Sequence, residues 1–443
     1  MSKPLLNLNA TKLNELRPNP KNPRRHSPKQ ITQIANSIRR FGFVVPVLTD
    51  GDHTIIAGHG RWLAAKQLGL TEVPTLRVAH LSPAEITALM IADNKLTENA
   101  AWDRDLLKAH FLDLSGLSLD FDLGLTGFET AEIDLLLQDP HESQEPALPA
   151  LAPVAISRPG DLWQLGQHRL LCGNSLHAGD YERVMAGRRA AMIFTDPPYN
   201  VPIQGHVSSQ ARHREFAFAA GEMSRADFTT FLKTSASLMA RHSRAGSLHY
   251  ICMDWRHMGE LVAAGEAVYA KLQNLCVWVK SNGGMGSLYR SRHELVFVFK
   301  HGSAAHHNNV ALGAHGRSRT NVWEYAGANG FVRKGDEAEV RPDHPTPKPV
   351  ALIADAILDC TRRGDIVLDP FLGSGSTVMA AERVGRCCYG IEIDPLYVDL
   401  ILRRFQAWTG QEPVHVETGL TFAEYTQAQS LEPTAKGGSH GRL

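Results

Sequence analysis

The apolar positions of this chain predict buried strands that end in turns and alternate with helices. Residues 190–194 form a continuous apolar run, as in a parallel strand that is buried on both faces. A second strand is predicted at residues 366–368, a helix at about residues 377–384 and a further strand at residues 388–394. Residues 295–299 are also uniformly apolar and predict another core strand. This alternation favours an α/β fold.

The first of these strands leads into a rigid turn, Asp196-Pro197-Pro198-Tyr199. Two prolines fix φ at consecutive positions and remove two backbone donors, so the carbonyl groups are free to accept hydrogen bonds. A carboxylate precedes the prolines and an aromatic ring follows them. The turn therefore suits a planar substrate that carries an amino group, although these residues alone also fit a Pro-rich loop with a surface tyrosine.

A glycine-rich turn connects the second strand to the helix that follows it. Gly373 and Gly375 allow the backbone to approach a ligand closely, as in nucleotide-binding βα turns. The next strand ends in the acids Glu392 and Asp394. Glu392 follows the glycines by about 20 residues, the offset at which an acid binds ribose hydroxyls in dinucleotide folds. Strand, turn, helix, strand and acid together predict a site for a nucleotide-like cofactor.

Length and charge set limits on the class of protein. The 443 residues suffice for two or three domains, and 46 basic residues balance 46 acidic ones. A nonspecific nucleic-acid coat is therefore excluded, whereas a local basic face remains compatible with DNA binding. The chain has neither an 18-residue apolar run nor an apolar N-terminal core. We expect a cytoplasmic protein without membrane association.

Cysteine and histidine spacing does not predict a metal site. The six cysteines include no Cys-x-x-Cys pair, so neither disulfides nor a zinc ribbon are expected. Cys387 and Cys388 are expected in a core strand. A group of histidines lacks carboxylate or cysteine partners at ligand spacing and is interpreted as part of a polar loop. These are His301, His306, His307 and His315.

Composition divides the chain into four parts. Residues 5–137 form a first domain, and a proline- and alanine-rich linker is predicted at residues 138–156. A second domain covers residues 157–425. The polar, glycine-rich tail at residues 426–443 is expected to be disordered.

The first domain contains a second glycine motif. An amphipathic helix is predicted between residues 31 and 41, followed by short strands at residues 45–48 and 54–57. Gly58-His59-Gly60-Arg61 then opens another helix. A glycine turn with an arginine at a helix N-terminus suits a phosphate or nucleotide. A plain strand-to-helix connection fits the spacing equally well.

The two main motifs resemble those of the amino-methyltransferases of DNA. The resemblance rests on Asp196-Pro197-Pro198-Tyr199 and on Asp369-Pro370-Phe371-Leu372-Gly373-Ser374-Gly375-Ser376-Thr377. Residues 171–175 and 344–349 strengthen it. The catalytic motif precedes the cofactor motif, as in the permuted, beta-type arrangement. The resemblance covers about residues 157–411 and implies a circularly permuted, Rossmann-like, S-adenosylmethionine-dependent methyltransferase fold.

The resemblance also implies roles for individual residues. Asp196 and the Pro197 carbonyl would accept hydrogen bonds from the target amine, and Tyr199 would stack on a base flipped out of double-stranded DNA. Glu392 would bind the cofactor ribose, Asn174 would lie near its adenine, and Thr346 and Lys348 would close its methionine end. The implied catalytic set is Asp196, Pro197, Pro198 and Tyr199. The implied S-adenosylmethionine set is Asn174, Asp196, Thr346, Lys348, Asp369, Pro370, Phe371, Gly373, Gly375, Ser376, Thr377, Glu392 and Asp394.

The target predicted from this resemblance is the N6 amine of adenine. An aspartate opens the catalytic tetrapeptide, whereas the cytosine-N4 enzymes of the family more often carry serine there. Three alternatives stay open: a cytosine-N4 enzyme, an inactive DNA-binding adaptor, and an RNA or protein-amine methyltransferase. Because beta-type relatives are often dimers, the resemblance also leaves a homodimer open.

Target recognition is expected within about residues 200–340. Basic residues there are interleaved with glycine, serine and asparagine, a composition that suits phosphate contacts and groove insertion. Each of them alone is interpreted as a solvated side chain, whereas together they favour DNA contact. The cluster comprises Arg212, His213, Arg214, Lys280, Arg290, Arg292, His293, Arg317, Arg319, Arg333 and Lys334.

The first domain resembles ParB-like N-terminal domains, a resemblance that includes Ala92-Asp93-Asn94. Sulfiredoxin shares that fold, but its chemistry needs a cysteine, and residues 1–171 contain none. Partition-type ParB proteins bind CTP through a glutamate and paired arginines in the glycine turn. His59 and Gly60 replace two of those side chains, and Arg61 remains. The sequence therefore favours a DNA-contacting or scaffolding role over CTP binding.

Overall fold

The computed structural model divides the chain into two compact units, residues 1–137 and 138–443. The residues that the structure describes are 6–117, 119–137, 148–201, 221–281, 283, 288–313, 317–326 and 347–431.

Within its described residues, the first unit combines a small sheet with five α-helices. Its strands and helices are β1 (Leu8–Lys12), α1 (Pro28–Phe41), β2 (Val47–Thr49), β3 (Ile55–Ala57), α2 (His59–Leu68), β4 (Glu72–Arg77), α3 (Pro83–Glu98), α4 (Arg104–Ser115) and α5 (Thr130–Leu137). The sheet order is β1-β4-β2-β3, with β2 and β4 parallel and the other two pairs antiparallel. Its core packs Val47, Ile55 and Val73 against Trp62 and Ala65 of α2. Both strands and both helices predicted up to residue 69 are present.

The second unit is built on one long mixed sheet. Its strands are β5 (Leu162–Leu165), β6 (His168–Cys172), β7 (Ala190–Thr195), β8 (Ser243–Met253), β9 (Lys271–Val279), β10 (His293–Lys300), β11 (Val322–Glu324), β12 (Ile366–Asp369), β13 (Cys387–Glu392) and β14 (Val414–His415). Its helices are α6 (Ala178–Met185), α7 (Arg225–Arg241), α8 (Met258–Glu266), α9 (Val350–Cys360), α10 (Ser376–Arg383), α11 (Pro395–Thr409) and α12 (Phe422–Leu431).

The sheet order is β11-β9-β10-β8-β7-β12-β13-β6-β5-β14. The five central strands, β8 to β6 in that order, run parallel to one another. Strand β10 is antiparallel to both β8 and β9, and β5 is antiparallel to β6. The centre is therefore a parallel α/β sheet whose strands all direct their carboxyl ends to one edge.

Helices cover both faces of this sheet, because the central strands alternate their apolar side chains between two cores. Met192 and Val367 contribute to the core that includes α9, α10 and α11. Ile193 and Leu368 contribute to the opposite core, beneath α6, α7 and α8. The continuous apolar runs in the sequence reflect this burial on both faces.

The structure confirms the strands and the helix predicted around both motifs. Strand β13 ends at Glu392, and the Asp394 carboxylate caps α11 by accepting from the Leu396 N–H at 3.0 Å. Cys387 and Cys388 are buried in β13. Within the described ranges, no helix combines the length and apolarity needed to cross a membrane.

Candidate active site

Four adjacent parallel strands bring the sequence motifs to one edge of the sheet. In spatial order they are β7, β12, β13 and β6. Their carboxyl ends lead into Asp196, the turn after Asp369, Glu392 and Asn174. Ligands of open α/β sheets bind at this edge. The two motifs, separated by more than 150 residues of sequence, therefore meet on neighbouring strands.

The turn at Asp196–Tyr199 is held by its own tyrosine. The Tyr199 hydroxyl donates a hydrogen bond to Asp196 Oδ1. The Asp196 side chain remains 25% exposed, and the Tyr199 ring is half-buried against both cores. A carboxylate oxygen and an aromatic ring are thus presented together at the end of β7.

Lys348, just before α9, contacts this turn. Its side chain is 4% exposed. The ammonium group donates to Asp196 Oδ2 at 2.6 Å and to the Tyr199 hydroxyl at 3.1 Å. It also pairs with Glu294 Oε2 at 2.9 Å. All three N–H donors of Lys348 therefore have acceptors, on Asp196, Tyr199 and Glu294.

Sequence reasoning missed Glu294 and its partner. Glu294 lies in β10, 11% exposed, and its Oε1 accepts from Lys280. Lys280 was assigned to DNA contact; the structure pairs it with this carboxylate. Both ammonium groups lie above the Trp278 ring, Lys280 at 4.8 Å and Lys348 at 5.8 Å from its centroid. The available signal was one carboxylate at the entrance of an otherwise apolar strand.

The pKa values of Asp196 and Glu294 are shifted in opposite directions. Burial raises the pKa of Asp196, and the negative charge of Glu294 adds to the rise, although the Lys348 ammonium group opposes it. Burial alone would raise the pKa of Glu294 too, but Lys348 and Lys280 outweigh it and lower this pKa to about 2. Glu294 is therefore the firmly ionised member of the pair, and the ionisation of Asp196 depends on its neighbours.

Asp369 connects the cofactor motif to the catalytic strand. Its buried carboxylate accepts from the Thr195 hydroxyl at 2.8 Å and from the Phe371 N–H at 3.1 Å, both through Oδ1. The Thr377 hydroxyl donates to Oδ2 at 2.6 Å. Burial raises the pKa of Asp369 to about 6 despite these bonds. Asp369 and Thr377 thus stabilise the glycine-rich turn through buried hydrogen bonds.

The glycine turn owes its path to a residue without Cβ. Gly375 has φ +79° and precedes α10, and a Cβ there would lie 2.8 Å from Ile401 Cγ1. Ser376 is buried at the start of α10, and Pro370 is buried at the start of the turn. Phe371 is half-buried. Because Gly375 has no side chain, a ligand can approach the backbone of this turn closely.

Glu392 ends β13, and Asn174 follows the neighbouring strand β6 by two residues. The buried Glu392 accepts from the N–H of Gly373 at 2.7 Å and of Asp394 at 2.9 Å. Burial raises the pKa of Glu392 to about 7. Asn174 is exposed and its side chain accepts from the Leu176 N–H. Each Glu392 oxygen has a second lone pair that can accept from a hydroxyl.

These hydrogen-bonding groups fit a nucleoside cofactor with a ribose and a carboxylate-bearing tail. Glu392 can accept from the two ribose hydroxyls, and Asn174 provides an exposed amide after the neighbouring strand β6. The backbone N–H groups at the N-terminus of α10 suit an anionic group. Among the described residues, no group of histidine, cysteine and carboxylate side chains is arranged to hold a metal ion.

The structure overturns the DNA-contact prediction for two arginines. Arg317 is 8% exposed, pairs with Asp359 at 2.8 Å and with Asp355 at 2.9 Å, and so is fixed to α9. Arg319 contacts the same two carboxylates at 3.0 and 3.2 Å. Residue spacing could not distinguish these internal partners from phosphates. Arg290, Arg292 and His293 are exposed.

In the glycine turn of the first unit, the side chains of His59 and Arg61 form hydrogen bonds with the backbone of the same unit. Gly58 has φ +102° and begins α2. His59, buried, accepts from the Asn19 N–H at 3.2 Å, and Arg61 donates to the Pro46 carbonyl at 3.2 Å. Burial, and then His26, lower the pKa of His59. These contacts fit the strand-to-helix alternative.

Several sequence predictions fall outside the described residues. They concern Thr346 of the implied cofactor set, part of the linker and most of the tail. They also concern some members of the basic and histidine clusters, namely Arg212, His213, Arg214, His315, Arg333 and Lys334.

Three family models match the chain. Residues 190–403 match the DNA methylase family of the N6 and N4 type. Residues 5–95 match the ParB N-terminal domain, and residues 105–159 match the ParB-methyltransferase HTH domain. Sequence reasoning had missed the HTH domain. Its match begins with α4 and extends past α5 into the predicted linker.

Individual relatives show similarity over parts of the chain. The type II methyltransferase M.ScaI of Streptomyces caespitosus is 36% identical over 92 residues, which are 21% of this chain and 30% of that enzyme. M.HpaI of Haemophilus parainfluenzae is 25% identical over 256 residues, or 54% of this chain and 74% of that enzyme. A solved M1.HpyAVI–SAM complex is 20% identical and covers 53% of this chain and 97% of its own, with a TM-score of 0.40.

Proposed function

We propose that this chain, which carries a DNA methylase domain of the N6/N4 family behind a ParB-like N-terminal domain, methylates the N6 amine of adenine in double-stranded DNA. S-adenosylmethionine is its cofactor. The observation that carries the proposal is the position of Asp196. This carboxylate, 25% exposed, directly follows β7, the strand next to the one that leads into the glycine turn, and has a tyrosine ring beside it.

The chemistry needs orientation more than acid–base strength. When bound, S-adenosylmethionine supplies a methyl group on a sulfonium, which an amine lone pair can attack in line. The lone pair of an adenine amine is delocalised into the ring. Hydrogen bonds from its two protons to the Asp196 carboxylate and the Pro197 carbonyl favour a more tetrahedral nitrogen. Holding the amine in such a near-attack geometry lowers the barrier by several kcal/mol.

The target amine is paired inside a duplex, so the base must leave the stack. The Tyr199 ring beside Asp196 is the surface on which the flipped base would lie. Arg290 and Arg292, which follow β9 and precede β10, are exposed and suit contacts with flanking phosphates. Adenine is favoured over cytosine because the catalytic turn opens with aspartate.

The proposal is tested by methyl transfer from labelled cofactor to duplex DNA, single-stranded RNA and protein. Wild-type chain should label duplex DNA, and Asp196→Ala should lose at least about two orders of magnitude in rate. Labelling of RNA or protein alone would contradict a DNA substrate. DNA binding without any labelling would favour an inactive adaptor, and N4-methylcytosine as product would correct the base.

A further inference from the structure

Lys348, Tyr199 and Asp196 form a closed triangle of hydrogen bonds. Lys348 donates to Asp196 Oδ2 and to the Tyr199 oxygen, while the Tyr199 hydroxyl donates to Asp196 Oδ1. Both carboxylate oxygens are therefore fixed, and each keeps a lone pair for the incoming amine. This geometry sets the direction in which Asp196 can accept.

The third N–H donor of Lys348 interacts with Glu294. Glu294 Oε2 pairs with Lys348 at 2.9 Å, and Glu294 Oε1 accepts from Lys280. The four charged groups sum to zero. Removing either carboxylate would leave the charge of the buried ammonium group less well compensated, at a cost in stability. Glu294 and Lys280 thus fix Lys348, which in turn fixes Asp196.

We infer that Lys348 and Glu294 are positioning residues for methyl transfer: Lys348 keeps Asp196 ionised and aligned, and Glu294 limits how strongly Lys348 withdraws charge from it. This inference rests on the proposed amine methylation at Asp196. It assigns a role on the substrate side to a lysine expected at the methionine end of the cofactor. It also adds Glu294, from the antiparallel part of the sheet, to the reaction.

The alternative is that the same ion pairs only stabilise the fold. The two roles differ in their charge dependence. An ionised Asp196 needs Lys348, so removing the ammonium group must move the ionisation of Asp196 to higher pH. Removing the Glu294 charge must move it to lower pH. The other groups near Asp196 are Tyr199 in its own turn, Cys252 of β8 and Asp369 of β12, and they are the same in every variant.

The test is the pH profile of kcat, from pH 5 to 9, for wild-type protein, Lys348→Met, Glu294→Gln and the double variant. The acid limb is the low-pH part of the profile, where kcat falls as Asp196 becomes protonated. In Lys348→Met this limb should move to higher pH by one unit or more, and in Glu294→Gln it should move to lower pH. The double variant loses one charge of each sign, so its limb should return toward the wild-type position. Lys348→Arg keeps the charge and should leave the limb in place, even if its different shape lowers kcat.

Equal loss of kcat at every pH, with an unmoved limb, would overturn the inference in favour of a structural role. If circular dichroism shows that Lys348→Met does not fold, the double variant and Lys348→Arg provide the test. An acid limb of the double variant that lies a full pH unit above the wild-type position would contradict the charge balance.

A readout without turnover separates this inference from the proposed function. The Asp196 carboxyl carbon, identified by comparing ¹³C-aspartate spectra of wild-type protein and Asp196→Asn, should titrate higher in Lys348→Met and lower in Glu294→Gln. An inactive wild type with these shifts would sink the proposed function alone. Identical titration in all variants would sink the positioning role even in an active enzyme.

Discussion

The Thr195 hydroxyl donates a hydrogen bond to the carboxylate of Asp369 at 2.8 Å. Thr195 ends β7, one residue before the catalytic aspartate, and Asp369 ends β12, at the start of the glycine turn. This bond, buried on both sides, joins the two motifs directly. The Thr195 hydroxyl thus links the two turns in addition to the parallel pairing of β7 with β12.

Thr195→Val should remove that bond while keeping the shape of the side chain. We expect a loss of about 1–3 kcal/mol in the free energy of unfolding, because a buried acceptor loses a donor. We also expect kcat to fall by about tenfold or more, because the two turns lose their mutual alignment. Urea unfolding and methylation kinetics measure the two effects. Thr195→Ser keeps the hydroxyl and serves as the control; wild-type kcat in Thr195→Val would contradict the alignment role.

Glu392 should make stability depend on pH. Its pKa is raised from the usual 4.5 to about 7 by burial. Between these values the folded chain holds a proton that the unfolded chain releases. The stabilisation is therefore complete below pH 4.5 and is lost as the pH rises through 7. Relative to Glu392→Gln, the wild type should lose up to about 3 kcal/mol between pH 5 and 8.

Urea unfolding of both proteins at pH 5, 6, 7 and 8 measures this difference. Glutamine is neutral throughout, so other titrating groups cancel in the comparison. A constant difference between the two proteins across this range would show that the Glu392 carboxyl titrates as it does in water.

Arg317 should matter for stability and not for DNA. Its guanidinium group is buried against Asp355 and Asp359, so Arg317→Ala leaves these carboxylates to Arg319, which already has its own contacts with them, and should cost up to about 3–5 kcal/mol. Arg290 is exposed, and Arg290→Ala should change stability by less than about 0.5 kcal/mol. Urea unfolding of the two variants side by side measures the contrast, and equal stabilities would contradict it.

Duplex binding should show the reverse order. Removing a single phosphate contact at Arg290 should reduce the slope of log Kd against log salt concentration by about 1. The folded fraction of Arg317→Ala should keep the wild-type slope. Fluorescence anisotropy at several salt concentrations measures both slopes; an unchanged slope in Arg290→Ala would remove this residue from the proposed DNA surface.

The first unit should not respond to CTP. His59 and Arg61 both contact backbone partners within the unit, so a triphosphate at the glycine turn would compete with contacts of the fold. The melting temperature should stay the same when millimolar CTP and magnesium are added. Saturable stabilisation by CTP, absent with ATP as control, would contradict this prediction.

The sequence was sufficient for features that depend on local pattern. Apolar runs identified β7, β10 and β12, and the glycine and proline motifs marked both turns at the correct edge. Partners distant in sequence were beyond reach. Arg317 and Asp359 are 42 residues apart, so spacing alone could not show that the arginine is neutralised inside the protein. Glu294 lies in β10 and Lys348 comes just before α9, and only the folded chain brings them to Asp196.

The central claim is that Asp196 directs methyl transfer to the N6 amine of adenine in duplex DNA. Its most direct test is nucleoside mass spectrometry of DNA from cells that express either wild-type chain or Asp196→Ala, combined with modification-sensitive sequencing. We predict N6-methyladenine at one recurring sequence motif in the wild type and none above background in the variant. Methylated adenine at equal levels in both samples, or no methylated base in the wild type, would contradict the claim.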